Sequence, residues 1–96
     1  MNEIAKRLKE LREERDLTMD LLVMDLNEKF DIEIHKSNLS RWEAGLVEPQ
    51  LRYAVCLAQY FNVSLDYLIG LTDVRTPARL LAYARGLSDI KKDNEQ

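Results

Sequence analysis

Ninety-six residues, 46% hydrophobic and 32% charged with only three glycines and two prolines, suffice for one domain with one modest core. This balance excludes a disordered chain and an all-β sandwich, and the longest apolar run is too short to cross a membrane. The net charge of −3 speaks against broad nucleic-acid affinity, but residues 17–35 hold five acidic groups against one basic, whereas residues 36–47 and 75–96 are net positive.

In chain order, residues 2–15 read as a helix, with Ile4, Leu8 and Leu11 at i, i+4, i+7 and Asn2 as its N-cap. Glu3–Arg7, Lys6–Glu10 and Lys9–Glu13 are opposite charges four apart, as on a solvated face. Nothing before this charged helix reads as a secretory signal, so a cytoplasmic protein is expected. Asp16-Leu17-Thr18 is a break and a restart. Thr18 suits an N-cap, Leu17 a hydrophobic staple, and Leu22, Val23 and Leu26 form the face of a second helix ending between Asn27 and Phe30. With so short a joint, the first two helices are expected to fold back on each other.

Phe30, Ile32 and Ile34 alternate with Asp31 and Glu33, which predicts an extended turn with its apolar side inward, or a two-stranded element. His35 has no ligand partners for a metal and reads as a capping or phosphate-proximal residue. Lys36 to Gly45 forms a short third helix. Leu39, Trp42 and Ala44 turn inward at helical spacing, leaving Lys36, Ser37, Asn38 and Arg41 outside. These outer side chains suit base edges and phosphates: Lys and Arg donate to guanine, Asn pairs with adenine, and Ser serves either. Capping is the competing reading for Ser37 and Asn38.

Pro49 sets up a fourth helix from Gln50 to about Phe61, with Leu51, Ala54, Val55, Leu57, Ala58 and Phe61 buried and Cys56 a small core residue. Ser64 caps a fifth, Leu65 to Ile69, which Gly70 stops, and Val63, Leu65, Leu68 and Ile69 complete the core. Residues 71–75 read as a linker. Thr76-Pro77 starts a sixth helix over 76–88 with the stripe Leu80, Leu81, Ala84 and Leu87, which packs back on its own domain or serves as a dimerisation arm; 89–96 is a polar, disordered tail.

Arg7-Leu8-Lys9-Glu10-Leu11-Arg12, Leu17-Thr18, Leu39-Ser40-Arg41-Trp42-Glu43-Ala44-Gly45, Pro49 and Val63-Ser64-Leu65-Asp66-Tyr67-Leu68-Ile69-Gly70 resemble the phage-repressor (Xre-type) helix-turn-helix family over about residues 4–70. The resemblance implies an all-α, five-helix DNA-binding domain over 1–70 whose third helix enters the major groove. It implies base reading by Lys36, Ser37, Asn38 and Arg41, and beside these Thr18, Met19, Ser40, Trp42 and Arg52 are the candidate contacts to the duplex backbone, Met19 through apolar contact alone. It also implies a brace between Arg12 and Glu43. Trp42 reads equally well as a purely structural residue.

The chain departs from that pattern at several points. Met19 stands where relatives commonly place a glutamine, Leu46 and Val47 replace a basic loop residue, and Asn27 occupies the usual glycine of the turn. The Leu22–Leu39 interval is longer than the ordinary motif's by about six residues, which is similar to the lengthened turn of some temperate-phage repressors. The expected function is a sequence-specific transcriptional regulator, bacterial or phage-encoded, acting as a repressor and homodimer on double-stranded operator DNA. The alternative is a protein-interaction or antitoxin-like module whose acidic 17–35 surface binds an antirepressor or another protein. No His-paired nucleophile, metal-ligand cluster or glycine-rich phosphate loop is present in the sequence, so no enzyme, metal or cofactor is expected.

Overall fold

The apolar periodicities resolve into five helices in a computed structural model that describes residues 3–77. They are α1 (Glu3–Glu14), α2 (Met19–Phe30), α3 (Lys36–Glu43), α4 (Leu51–Phe61) and α5 (Leu65–Leu68), with no strand among the described residues. The chain is therefore all-α over this region. The expected sixth helix and tail lie outside the described residues, as does the Asn2 cap.

One cluster holds the domain together. Leu8 and Leu11 of α1, Leu22 and Leu26 of α2, Leu39 and Trp42 of α3, Leu57 and Phe61 of α4, and Leu68 of α5 are all buried in it. Six leucines are fully enclosed, and at about 25 cal/mol per Å² their apolar burial is the main favourable contribution to folding. Both α1 and α2 pack on α3, α2 also meets α4, and α5 lies against α1 and α4. The first two helices thus meet chiefly through α3 rather than by folding directly on each other.

All five helices close in the same way. The residue after the last turn takes a left-handed conformation at Asp16, Asp31, Gly45, Asn62 and Gly70. The next amide then reaches back five residues: Leu17 to Arg12 O, Ile32 to Asn27 O, Leu46 to Arg41 O, Val63 to Ala58 O and Leu71 to Asp66 O. This is the Schellman closure, which satisfies carbonyls the helix leaves unpaired. It reverses the chain within a residue or two, so short helices can wrap a small core.

Several burial expectations are corrected. Leu51 is 70% exposed, Ile69 is exposed, and Val55 and Cys56 are only half-buried. In the other direction, Tyr67 is buried in α5. Arg7 stacks 4.3 Å above the Tyr67 ring and donates to Tyr67 O, to Thr72 O at 2.6 Å and to Asp73 at 2.8 Å. Arg75 donates to the Tyr67 hydroxyl at 3.1 Å and pairs with Glu14 through both terminal nitrogens at 2.7 and 2.6 Å. Residues 71–75 are thereby tied along α1 and α5. The hydrogen bond from Arg75 holds the Glu14 carboxyl below its usual range.

Candidate nucleic-acid interface

The site is built on α3, and the chain before it explains how α3 is aimed. The residues that lengthen the interval before it are absorbed in two ways. Helix α2 continues to Phe30, and Asp31 then turns the chain with φ 51° and ψ 48°. Asn27 therefore sits in the last turn of α2, not in the connecting turn. Its side chain acts as a stand-in for a neighbouring strand: Nδ2 donates to Ile34 O and Oδ1 accepts from Ile34 N, both at 2.9 Å. That bridge satisfies both backbone groups of Ile34 while its side chain enters the core with Phe30 and Ile32 alongside. The period-two pattern was thus an inward tuck, and the extended piece is only residues 32–35.

At the start of α3, His35 is the N-cap, and its amide donates to Asn38 Oδ1 at 2.8 Å. Half-buried Asn38 thus fills the back-reaching role of a capping box. Its carboxamide oxygen is engaged, so only Nδ2 is without an internal bond. Leu39 and Trp42 face the core, and Lys36, Ser37, Ser40 and Arg41 are exposed on the opposite side. Ala44, expected inward, is exposed. The Arg41 side chain makes no hydrogen bond or ion pair with any described residue. Lys36 Nζ lies 3.7 Å from Asp20 Oδ2, with both side chains mostly in solvent, a weak pair that ionic strength screens.

A clamp fixes the far end of α3. Arg12 Nε and Nη2 donate to Glu43 Oε2 and Oε1 at 2.7 and 2.9 Å, and Nη1 donates to Leu17 O at 2.7 Å. One guanidinium therefore joins α1, the α1–α2 joint and α3. The hydrogen bond to Glu43 raises the Arg12 pKa further, against a smaller lowering by burial. The paired geometry gives direction as well as attraction.

Trp42 is 5% exposed, and its ring lies 5.8 Å from Tyr53 at a 34° tilt. Arg52 continues the stack, 4.6 Å from the Tyr53 ring centre with Nη2 donating to the Tyr53 hydroxyl at 2.6 Å. The Trp42 side chain makes no hydrogen bond with any described residue, and no buried polar side-chain atom among the described residues lacks a partner. The indole N–H therefore reaches the surface. The Tyr53 stack, the Asp20–Lys36 proximity and the Asn27 bridge all depend on residues brought together by the fold. No local pattern announces any of the three.

Thr18 accepts from Leu21 N at 3.1 Å as the cap of α2, and Met19 begins that helix, partly buried against the core. Leu22 N donates to Thr18 O at 3.0 Å, so Thr18 takes two of the amides in the first turn of α2. Among the described residues no group of His, Cys, Asp and Glu could hold a metal ion. No described helix is long and apolar enough to cross a membrane.

Two helices joined across a tight core, the second short and polar on its outer face, define a helix-turn-helix module. Residues 5–74 match the helix-turn-helix domain family, and the chain belongs to it. It is similar to the uncharacterized HTH-type transcriptional regulator YobD of Bacillus subtilis (strain 168). Identity is 42% over 73 residues, covering 76% of this chain and 60% of the relative. It is also similar to the HTH-type transcriptional activator BcrR of Enterococcus faecalis, 27% identical over 90 residues that cover 94% of this chain and 39% of the relative. The chain thus spans less than two thirds of the length of either relative. No solved structure matches it. The shared family is that of a helix-turn-helix domain, and both relatives are named as transcriptional regulators.

Proposed function

We propose that the chain is a sequence-specific transcriptional regulator of the phage-repressor type, acting as a homodimeric repressor on an inverted-repeat operator in the bacterial cytoplasm. The supporting observation is the outer face of α3. Lys36, Ser37 and Arg41 project from a helix that Arg12 clamps at one end and Asn27 and Ile34 position at the other. In this reading Arg41 and Lys36 donate to guanine or phosphate and Ser37 to either, while Asn38 contributes its free Nδ2. Thr18, Met19, Ser40, Trp42 and Arg52 border the backbone of the duplex, with Trp42 and Arg52 offering N–H donors to one phosphate track. One short helix reads a few base pairs, so two copies on half-sites roughly 34 Å apart supply useful specificity.

The test uses a duplex recovered by selection from a random pool. Arg41→Ala should abolish its site-specific retardation with an unchanged thermal melt. Undiminished affinity would overturn the assignment of α3 as reader.

A second reading rests on α2. Leu21 and Met24 are exposed there, at 45% and 58%, among Asp20, Asp25 and Glu28. An acidic surface with apolar residues suits a protein partner such as an antirepressor or a component of the transcription machinery. One relative is named an activator, which supports positive control as the other outcome of a reporter assay. In the pure interaction-module form of this reading the chain binds no duplex even at low salt, whereas a DNA binder weakens steeply as salt rises.

A further inference from the structure

An apolar groove of about 340 Å³ lies between α4 and the segment leading into α5, with Val55, Ala58, Val63, Leu65 and Pro77 among its lining. It explains why Val55 and Leu65 are only half-buried although they lie on core-like positions of their helices. Pro77 is both a wall of this groove and the last described residue, so residues 78–96 are joined to the domain at the groove's own lip.

We propose that the groove seats the apolar stripe Leu80, Leu81, Ala84 and Leu87 of a second copy of this chain, exchanged reciprocally. The inference rests on the homodimeric reading above and names the surface that makes the dimer. The stripe and the groove begin at the same point, so a two-fold axis beside Pro77 brings each stripe across to the other groove with no long link. The run from Ala78 to Arg85 contains no glycine, proline, asparagine or aspartate that would turn the chain back over its own lip. Charge complements shape: Asp66 on the groove rim is exposed with its carboxylate unpaired among the described residues, and Arg79 and Arg85 flank the stripe.

The test uses the full chain in two measurements. In sedimentation equilibrium the wild type should double its mass as concentration rises, while Leu81→Asp should stay a monomer throughout. In a one-to-one mixture of ¹³C-labelled and unlabelled chains, isotope-filtered NMR should show contacts between chains, from Leu80 and Leu81 methyls to those of Val55, Val63 and Leu65. Contacts only within one chain, a dimer that leaves Val55 and Val63 methyls unperturbed, or a wild-type monomer at every concentration would each overturn the proposal. A monomer that still binds the selected duplex would overturn the groove and leave the DNA reading standing. A groove-mediated dimer that binds no duplex would do the reverse.

Discussion

Arg12 grips Glu43 through two nitrogens, at 2.7 and 2.9 Å, across 31 residues of chain. The two partners are unequal. The Glu43 side chain is 3% exposed and has Arg12 as its ion-pair partner, whereas Arg12 is 13% exposed and also holds Leu17 O. Removing Arg12 leaves a buried carboxylate without a counter-charge, while removing Glu43 leaves an arginine that still reaches a carbonyl and water. Arg12→Ala should therefore cost about 3 kcal/mol and Glu43→Ala distinctly less, measured by urea denaturation. Equal losses would show that the clamp is not asymmetrically buried.

Asn27 carries the second support for α3. Its two bonds to the Ile34 backbone fix the depth at which the connecting segment enters the core. Asn27→Ala strands an amide and a carbonyl that are partly buried, a loss of about 2 kcal/mol. Hydrogen exchange at the Ile34 amide should accelerate with it, and unchanged protection would refute the bridge.

The closures of α1, α2 and α4 place Asp16, Asp31 and Asn62 in the left-handed region at φ 54°, 51° and 54°. Glycine takes this conformation without a Cβ penalty, so Asp31→Gly should stabilise the fold by about 0.5–1 kcal/mol. Gly70 behaves oppositely. At φ +90° a Cβ there would come within 2.7 Å of Glu3 Cβ, so Gly70→Ala should lower the melting temperature. A neutral Gly70→Ala would contradict the close approach of α5 to α1.

Tyr60 joins α4 to α2 by donating to Asp25 Oδ2 at 2.7 Å. Burial, then the bond to Asp25, raises its hydroxyl pKa above the ordinary 10.0. A folded pKa above the unfolded one means the native state holds the proton more tightly. That contribution is fully present below about pH 10 and disappears as pH rises through the folded value. Stability should thus fall with alkali above pH 10 in the wild type, and less steeply in Tyr60→Phe. Parallel slopes for the two proteins would rule out the linkage.

Much of this was legible because helix caps and apolar spacing are local signals. Thr18 and Ser64 announce their caps, Leu8, Leu22, Leu39, Leu57 and Leu68 mark the core at helical intervals, and Gly45 and Gly70 announce two of the closures. What escaped depends on tertiary neighbours. Leu51 and Val55 fit a buried pattern, but no described helix covers them, whereas Tyr67 is buried because two arginines bracket it. Asn27 resembles a turn residue until Ile34 is seen beside its carboxamide. Of the outer face of α3, the residue types could be read directly, but not that Asn38 is held by His35 or that Lys36 stands beside Asp20.

On the proposed function, α3 reads sequence in duplex DNA. Selection of bound duplexes from a random pool with the full chain tests it most directly. An inverted repeat with half-site centres roughly 34 Å apart should be enriched, and the enrichment lost with Arg41→Ala. Recovery of no enriched sequence at low salt would contradict it.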